Sequence, residues 1–206
     1  MSETVRDICE TITVDNNPNL NPDICIDILE LESLPRINII WASPPCRTFS
    51  IASISRHWIK EGEKRTPRTK DSENGLRMVS KTIGIIRESN PKIWFIENPR
   101  GMLRKVIPEI FERFGITDYV RHTITYCQYG ERRMKPTDIW TNCKTWKPRK
   151  MCKNGDSCHE KAPRGSPTGT QGLKGGYLRG ILPFELCKEI RSEIIKNFNL
   201  EGRLNE

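Results

Sequence analysis

Long apolar runs are missing from this sequence of 206 residues. No stretch approaches the 18 consecutive apolar residues of a membrane-spanning helix, so we predict no membrane contact. Residues 1–7 also lack the basic-then-apolar pattern of a secretory leader, which indicates an intracellular protein. No internal repeat is visible. An apolar fraction of 35% with 29% charged residues is typical of one globular domain and excludes wholesale disorder.

Acidic charge is in deficit, because 34 Lys and Arg face 26 Asp and Glu, for a net charge of +8. A basic balance favours polyanionic partners, since neutralising phosphates releases counterions. Eight of the basic residues lie between Lys144 and Lys174, in a Gly-rich stretch that holds only two acids. This stretch indicates a phosphate-facing loop, and a solvated surface loop is the alternative.

Strand-like and helix-like segments alternate along the chain, which predicts an α/β domain with a largely parallel sheet. In such sheets, sites form beyond the carboxyl ends of the strands. Four predicted strand ends carry chemical groups: Asp15, Asp27, the turn that holds Cys46, and Glu97. Residues 47–71 and 143–176 are expected to be loops. We predict strands at 11–15, 23–27, 37–42, 92–96, 119–127 and 137–142, and helices at 2–9, 72–89, 102–114 and 183–198.

Two of these strand ends can perform chemistry. Cys46 follows Pro44-Pro45, so its thiol sits on a rigid turn that suits a nucleophile, and Arg47 offers charge that favours the thiolate. Glu97 follows four apolar residues, and partial burial would raise the pKa of its carboxyl, so that it holds a proton near neutral pH. A buried structural cysteine and a capping or salt-bridged acid are the alternatives.

Three segments, taken together, resemble ordered motifs of one enzyme family. They are Ala42-Ser-Pro-Pro-Cys-Arg-Thr-Phe-Ser50, Phe95-Ile-Glu-Asn-Pro-Arg-Gly-Met-Leu103 and Tyr126-Cys-Gln-Tyr-Gly-Glu-Arg-Arg-Met-Lys-Pro-Thr-Asp-Ile-Trp-Thr-Asn142. They resemble the motifs of the cytosine-C5 DNA methyltransferases, above all the short phage-type or viral members. The resemblance covers roughly residues 10–195. It implies a Rossmann-like, S-adenosylmethionine-dependent methyltransferase fold and a cytoplasmic location in a bacterial or infected-host cell.

The resemblance also implies a mechanism. A cytosine leaves double-stranded DNA, the Cys46 thiolate adds to its C6, and protonated Glu97 hydrogen-bonds N3. C5 then takes a methyl group from S-adenosyl-L-methionine. A basic side chain, Arg133 or Lys135, would hold the cytosine carbonyl, although the family's Gln-x-Arg-x-Arg pattern is not reproduced. Surface charges are the alternative for those two residues.

For the cofactor, the resemblance assigns Asp15 to the ribose hydroxyls, Asp27 and Ile28 to the adenine, and Pro44 and Pro45 to the same pocket. Turn formation is the alternative for both aspartates. The family's first motif, Phe-x-Gly-x-Gly, is absent. Three explanations stay open: a start codon further upstream, which we favour, a second chain that supplies the N-terminal strand, or a remnant that binds cofactor poorly. We otherwise expect a monomer.

We expect three regions: a catalytic core over 1–142, a small target-recognition region over 143–178, and a C-terminal helix over 179–206 that packs back on the core. A segment with the family's later Arg-x-Leu/Ile-Pro pattern opens the last region. The DNA contacts we expect are Arg47, Ser50, Arg132, Lys147, Arg149, Lys150, Arg164, Thr168 and Gln171.

The basic stretch also holds possible zinc ligands. Cys143, Cys152 and Cys158 have the Cys-x8-Cys-x5-Cys spacing of a CCCH zinc finger, but Ala162 stands where its histidine belongs. His159 is the substitute, so Cys143, Cys152, Cys158 and His159 form a candidate structural zinc site. Reduced thiols in a surface loop are the alternative. Two other functions also stay open: a DNA-binding remnant without catalysis, and a thymidylate-synthase-type enzyme acting on free nucleotides.

Overall fold

The computed structural model describes residues 1–160 and 176–200. None of the helices in this part of the chain is long and apolar enough to cross a membrane. The strands are β1 (Val14–Asp15), β2 (Ile24–Cys25), β3 (Ile39–Ala42), β4 (Trp58–Glu61), β5 (Lys64–Pro67), β6 (Ile93–Pro99), β7 (Val120–Thr125) and β8 (Pro136–Thr141). The helices are α1 (Ser2–Val5), α2 (Ile54–His57), α3 (Lys70–Ser89), α4 (Leu103–Arg113), α5 (Gly176–Gly180) and α6 (Phe184–Phe198).

The main sheet has the strand order β3-β6-β8-β7. Strands β3 and β6 are parallel, in a register that runs from Ile39 opposite Ile93 to Ala42 opposite Ile96. The 20-residue helix α3 lies between them in the chain, so β3, α3 and β6 form the crossover unit of an α/β protein. The predicted α/β class, with its Rossmann-like parallel crossover, is confirmed.

The chain divides into two compact units. The larger unit comprises residues 12–121 and 138–144, and the smaller unit comprises 1–11, 122–137 and 145–206. The apolar core of the larger unit forms where α3 and α4 pack against β6. Val79 and Ile83 from α3, and Leu103 and Ile107 from α4, are among its fully buried side chains. Burial of each such side chain contributes about 1.5–3 kcal/mol to stability, so this layer fixes the position of β6.

Helix α3 begins where the sequence provides a cap. The side chain of Thr69 accepts a hydrogen bond from the backbone N–H of Ser72, and the Ser72 hydroxyl accepts one from the N–H of Thr69. These reciprocal bonds satisfy two of the N–H groups that a helix start leaves without partners. The helix ends at Asn90, which adopts a left-handed conformation with φ of 42°.

Strands β1 and β2 differ from the expectation of one continuous sheet. They pair with each other in parallel, as a separate two-stranded sheet of only two residues each. Both end early because an aspartate side chain turns the chain. Asp15 accepts a hydrogen bond from the N–H of Asn17 at 2.8 Å, and Asp27 accepts one from the N–H of Leu29 at 2.9 Å.

Residues 47–71 were expected to form a long loop, but they contain regular structure. Helix α2 leads into an antiparallel hairpin of β4 and β5, which turns at Gly62 with φ of 60°. Trp58 explains why this segment is regular. Its ring is buried, and its indole N–H donates to the carbonyl of Thr48 at 2.8 Å. One anchored aromatic residue thus holds a segment whose exposed polar residues show no period.

In the smaller unit, α6 buries Leu186, Ile190 and Ile194 along one face, at the spacing that predicted the helix. Its Glu189 accepts hydrogen bonds from the indole N–H of Trp146 at 2.8 Å and from the hydroxyl of Tyr129 at 3.1 Å. These bonds tie α6 to the 3-10 turn Tyr126–Tyr129, which follows β7.

Candidate active site

Cys46 lies in a tight turn just beyond the carboxyl end of β3. Its carbonyl accepts hydrogen bonds from the backbone N–H groups of Phe49 and Ser50, both at 3.0 Å. Pro44 is buried, whereas Pro45 and Cys46 are exposed. The prolines restrict the backbone ahead of the cysteine, and the two bonds hold it from behind, so a solvent-facing thiol stands on a constrained backbone.

Glu97 lies near the carboxyl end of β6, the neighbouring parallel strand, and only 5% of its surface is exposed. Trp94 and Ile96 on the same strand belong to the apolar core formed with α3 and α4. Since side chains alternate along a strand, Phe95 and Glu97 point to the opposite face of the sheet. The carboxyl group is therefore held away from the helical layer, in a largely dehydrated position.

Three contacts connect the turn at Cys46 with the end of β6. The buried side-chain amide of Asn98 donates to the carbonyl of Pro44 at 2.9 Å. The N–H of Met102 donates to the carbonyl of Phe49 at 2.7 Å, and a β-bridge joins Ser50 to Gly101. Residues two positions before Cys46 and one position after Glu97 are thus in direct contact, so each motif positions the other.

Gly101 is required at this junction. A Cβ atom at that position would lie 2.1 Å from the carbonyl oxygen of Phe49, far inside van der Waals contact. Beyond the Glu-Asn-Pro-Arg-Gly motif, nothing in the sequence predicted this role. Asn98 was likewise absent from the predicted site residues, although its place beside Glu97 at a strand end was visible.

The predicted cofactor residues also lie in the larger unit. Asp15 and Asp27 follow adjacent parallel strands, and each uses one carboxylate oxygen in its own turn. Both side chains are half-buried, as is Ile28. Within residues 1–160 and 176–200, the second oxygen of each carboxylate makes no hydrogen bond, so it can accept one from a hydroxyl or amino group.

Arg133 and Lys135, the two candidates for holding the cytosine carbonyl, lie in the smaller unit. Arg133 is buried, and its guanidinium donates to the carbonyls of Leu178, Arg179 and Ile181 at 2.8–3.1 Å. Lys135 is half-buried and donates from Nζ to the carbonyl of Arg179 at 2.9 Å. Both cations also lie over the ring of Tyr126.

The residues predicted to contact DNA differ in their exposure and in their contacts with the rest of the protein. Arg47 is largely exposed, with Asp71 at 3.7 Å, whereas Ser50 is half-buried within the turn. Arg132 forms an ion pair with Glu160. Lys147 and Lys150 are exposed. Arg164, Thr168 and Gln171 lie outside the described residues.

Arg149 is the most engaged of these predicted contacts. It lies over the ring of Tyr129 and forms ion pairs with Glu185 at 3.6 Å and Glu189 at 3.4 Å. Its guanidinium also donates to the carbonyl of Gln128 at 2.8 Å. These contacts give Arg149 a structural role in fixing α6 to the turn at Tyr126–Tyr129.

The structure brings together a different set of metal-competent side chains from the predicted one. Cys127, Cys152, Cys158 and His159 place their ligand atoms within 4.8 Å of one another. Cys143 does not belong to this group, although its spacing suggested it, and Cys127 takes its place. Burial, followed by hydrogen bonding to Cys152, raises the pKa of the Cys127 thiol to about 12.

Comparisons with known proteins agree with the family that the motifs resemble. The profile of the C-5 cytosine-specific DNA methylase family matches residues 2–128, more than half of the chain. A probable DNA (cytosine-5)-methyltransferase of Frog virus 3 (isolate Goorha) is 29% identical over 143 residues. That alignment covers 66% of this chain and 62% of the length of the viral protein.

Two solved structures also superpose on part of the chain. The Entamoeba histolytica methyltransferase EhMeth gives a TM-score of 0.44 at 18% identity, over 63% of this chain and 43% of its own. The S. pombe Dnmt2 methyltransferase gives a TM-score of 0.44 at 14% identity, over 68% and 45%. The assignment rests on the family profile, and on the two motifs that it contains at the ends of neighbouring strands: this chain belongs to the C-5 cytosine-specific DNA methylase family.

Proposed function

We propose that this protein methylates C5 of cytosine in double-stranded DNA, with S-adenosyl-L-methionine as the methyl donor and Cys46 as the nucleophile. One observation carries the proposal: the hydrogen bond from Asn98 to the Pro44 carbonyl, which joins the nucleophile turn to the strand end that holds Glu97. This bond joins the backbone segments that carry a solvent-facing thiol and a nearly buried carboxyl, two groups that suit covalent attack on a pyrimidine ring.

In the proposed reaction, the target cytosine leaves the duplex, because its C6 cannot be reached inside the stack. The Cys46 thiolate forms a bond to C6, and the ring electrons move towards N3. Glu97 donates a proton to N3 and so relieves the negative charge that the addition creates. Only 5% of the Glu97 surface is exposed, so this carboxyl is largely shielded from water.

The bound donor supplies an electrophilic methyl group, which the activated C5 accepts. A base then removes the C5 proton, the C5–C6 double bond re-forms, and the Cys46 thiolate leaves. Asp15 and Asp27 would hold the ribose and adenine of the donor through their second carboxylate oxygens. Arg133 or Lys135 would hold the cytosine carbonyl, as the family resemblance implies.

The DNA would be bound through its phosphates by exposed cations, chiefly Arg47, Lys147 and Lys150. We retain residues 143–178 as the candidate recognition segment. Because phosphate contacts release counterions, affinity for duplex DNA should fall steeply as salt is raised. Replacement of both Lys147 and Lys150 by Ala should reduce that salt dependence.

Covalent trapping tests the proposal. A duplex that contains 5-fluorocytosine is incubated with the full chain and S-adenosylmethionine, and adducts that survive denaturation are measured. Fluorine at C5 cannot leave as a proton does, so the enzyme stays attached to the ring. We expect an adduct that requires the cofactor, disappears in Cys46→Ser and persists in Cys25→Ser, which removes another exposed cysteine of the same unit.

Other outcomes would overturn the proposal. DNA binding without an adduct or cofactor affinity would indicate a non-catalytic DNA-binding protein. A Cys46-dependent adduct with a free pyrimidine nucleotide, but none with duplex DNA, would indicate an enzyme of the thymidylate synthase type. An adduct that persists in Cys46→Ser would mean that another residue is the nucleophile.

A further inference from the structure

A cluster of three cysteines and one histidine lies in the smaller unit, away in the chain from Cys46 and Glu97. Cys127 belongs to the 3-10 turn after β7, and Cys152, Cys158 and His159 belong to the basic segment that follows β8. We propose that Cys127, Cys152, Cys158 and His159 bind a structural zinc ion, which fixes the basic segment to the turn at Tyr126–Tyr129.

The distances among the ligand atoms fit one small ion. Cys158 Sγ lies 3.7 Å from Cys127 Sγ, and His159 Nδ1 lies 3.7 Å from Cys152 Sγ and 3.6 Å from Cys158 Sγ. Zinc–sulfur bonds of about 2.3 Å and zinc–nitrogen bonds of about 2.0–2.1 Å place tetrahedral sulfurs about 3.8 Å apart, and sulfur and nitrogen about 3.6 Å apart. The cluster is therefore near the tetrahedral spacing already.

The Cys127 and Cys152 sulfurs are closer, at 3.2 Å, and this pair could in principle be oxidised. A disulfide requires about 2.05 Å, and it would leave Cys158 and His159 without a reason to converge on the same point. A zinc ion uses all four side chains at once. Three soft thiolates and one imidazole form a closed four-ligand set, which is typical of structural zinc.

Both ends of the ligand segment are held by bonds that need no metal. The N–H of Cys152 donates to the hydroxyl of Thr125 at 3.1 Å, and the N–H of Glu160 donates to the carbonyl of Arg132 at 2.8 Å. Between them the chain reverses at Gly155, which has φ of 99°. The segment is thus matched at both ends to the stretch that carries Cys127, so the four ligands meet without a large ordering cost.

A further contact is typical of a metal-bound thiolate. The side-chain amide of Gln128 donates to Cys158 Sγ at 3.3 Å. Amide donors of this kind orient a ligand sulfur and balance its charge in the shell around a metal. Cys158 is the exposed member of the set, so this bond directs a side chain that solvent would otherwise leave mobile.

The sequence alone pointed to a different fourth ligand. Cys143, nine residues before Cys152, fits a zinc-finger spacing, whereas Cys127 precedes Cys152 by 25 residues. The proposal therefore makes a discriminating claim: loss of Cys127 abolishes metal binding and loss of Cys143 does not. Both thiols are buried, which makes Cys143→Ala a matched control for Cys127→Ala.

Metal content of the purified full chain tests the site without any assay of methyl transfer. We expect one zinc per chain, retained against a weak chelator. Replacement by cobalt(II) should give the intense visible bands of a tetrahedral thiolate site. Zinc should fall close to zero in Cys127→Ala and Cys158→Ala, and should remain at one per chain in Cys143→Ala and Cys25→Ser.

Since Cys127→Ala removes a buried side chain and could unfold the unit, Cys158→Ala and His159→Ala provide the decisive variants. A strong chelator should lower the Tm of the unmodified chain and leave that of folded Cys158→Ala unchanged. A metal-free chain in which Cys127, Cys152 and Cys158 are all reduced would overturn the proposal. So would a Cys127–Cys152 disulfide in the purified protein, or loss of zinc in Cys143→Ala.

Discussion

Asn98 connects the two proposed catalytic motifs, so its replacement should affect both stability and chemistry. Its side chain is fully buried and donates to the Pro44 carbonyl at 2.9 Å, while its own Oδ1 is buried without a hydrogen-bond partner in the described residues. Asn98→Ala leaves the buried carbonyl without a donor, which costs about 1–3 kcal/mol. Removal of the unpartnered oxygen offsets a part of this, so the net loss should lie near the lower end.

The catalytic effect should exceed what that loss of stability explains. The bond holds the backbone two residues before Cys46, and a shift of the nucleophile by about 1 Å can reduce the rate about 100-fold. Asn98→Asp keeps the size of the side chain but replaces the donor with an acceptor that faces a carbonyl oxygen. Asn98→Asp should therefore reduce both the free energy of unfolding and the reaction rate more than Asn98→Ala does.

The assay compares adduct formation on 5-fluorocytosine DNA with the free energy of unfolding in urea. Ile107→Val, in the apolar core of the larger unit, is the control. It should lower the free energy of unfolding by about 0.5–1.5 kcal/mol and leave the rate of adduct formation by the folded enzyme unchanged. If Asn98→Ala destabilises the protein but forms adduct as fast as Ile107→Val, then the bond to Pro44 does not position Cys46. If neither quantity changes, the hydrogen bond itself is absent in solution.

Three further changes test other parts of the fold. Arg104→Ala removes two hydrogen bonds, at 2.9 and 2.5 Å, from the fully buried carboxylate of Asp138. The free energy of unfolding, measured in urea, should fall by about 3–5 kcal/mol, and the double variant Arg104→Ala/Asp138→Ala should regain part of this loss. Gly101→Ala forces a methyl group against the Phe49 carbonyl, and the same measurement should show a loss of at least about 1–3 kcal/mol. Burial, followed by the charge of Lys147, lowers the pKa of His122, so its contribution to stability is present above about pH 6.5 and is lost as pH falls. His122→Phe should flatten the dependence of Tm on pH between about 5 and 7, and an unchanged slope would contradict this assignment.

The sequence predicted the larger unit best where periodicity was strong. Helix α3 and strand β6 were expected at 72–89 and 92–96, and they occupy Lys70–Ser89 and Ile93–Pro99. Their apolar patterns are dictated by burial, which the residues themselves record. The hairpin of β4 and β5 left no such record, because its residues are largely exposed and one buried ring, Trp58, determines its position.

The candidate site likewise contains residues that the local sequence predicts and residues that only long-range contacts identify. Cys46 and Glu97 could be predicted because a reactive residue at the end of a strand is recognised from its neighbours in the sequence. The family profile supports the motifs that contain them. Asn98 and Gly101 act through contacts with residues about 50 positions away in the chain, Pro44 and Phe49. Such contacts depend on the register of β3 against β6, and no spacing within either motif encodes that register.

The proposed zinc ligands show this limit of sequence-based prediction most clearly. Spacing along the chain selects Cys143, because it considers only how far a short loop can reach. The fold selects Cys127, because the ends of the ligand segment pair with Thr125 and Arg132 and so bring the segment beside the turn after β7. Cys143 follows β8, where its N–H donates to the hydroxyl of Thr141 at 3.0 Å. Metal content therefore decides between two sites. If Cys143→Ala loses zinc, the segment after β8 supplies all the ligands itself; if Cys127→Ala loses it, the turn after β7 supplies one of them.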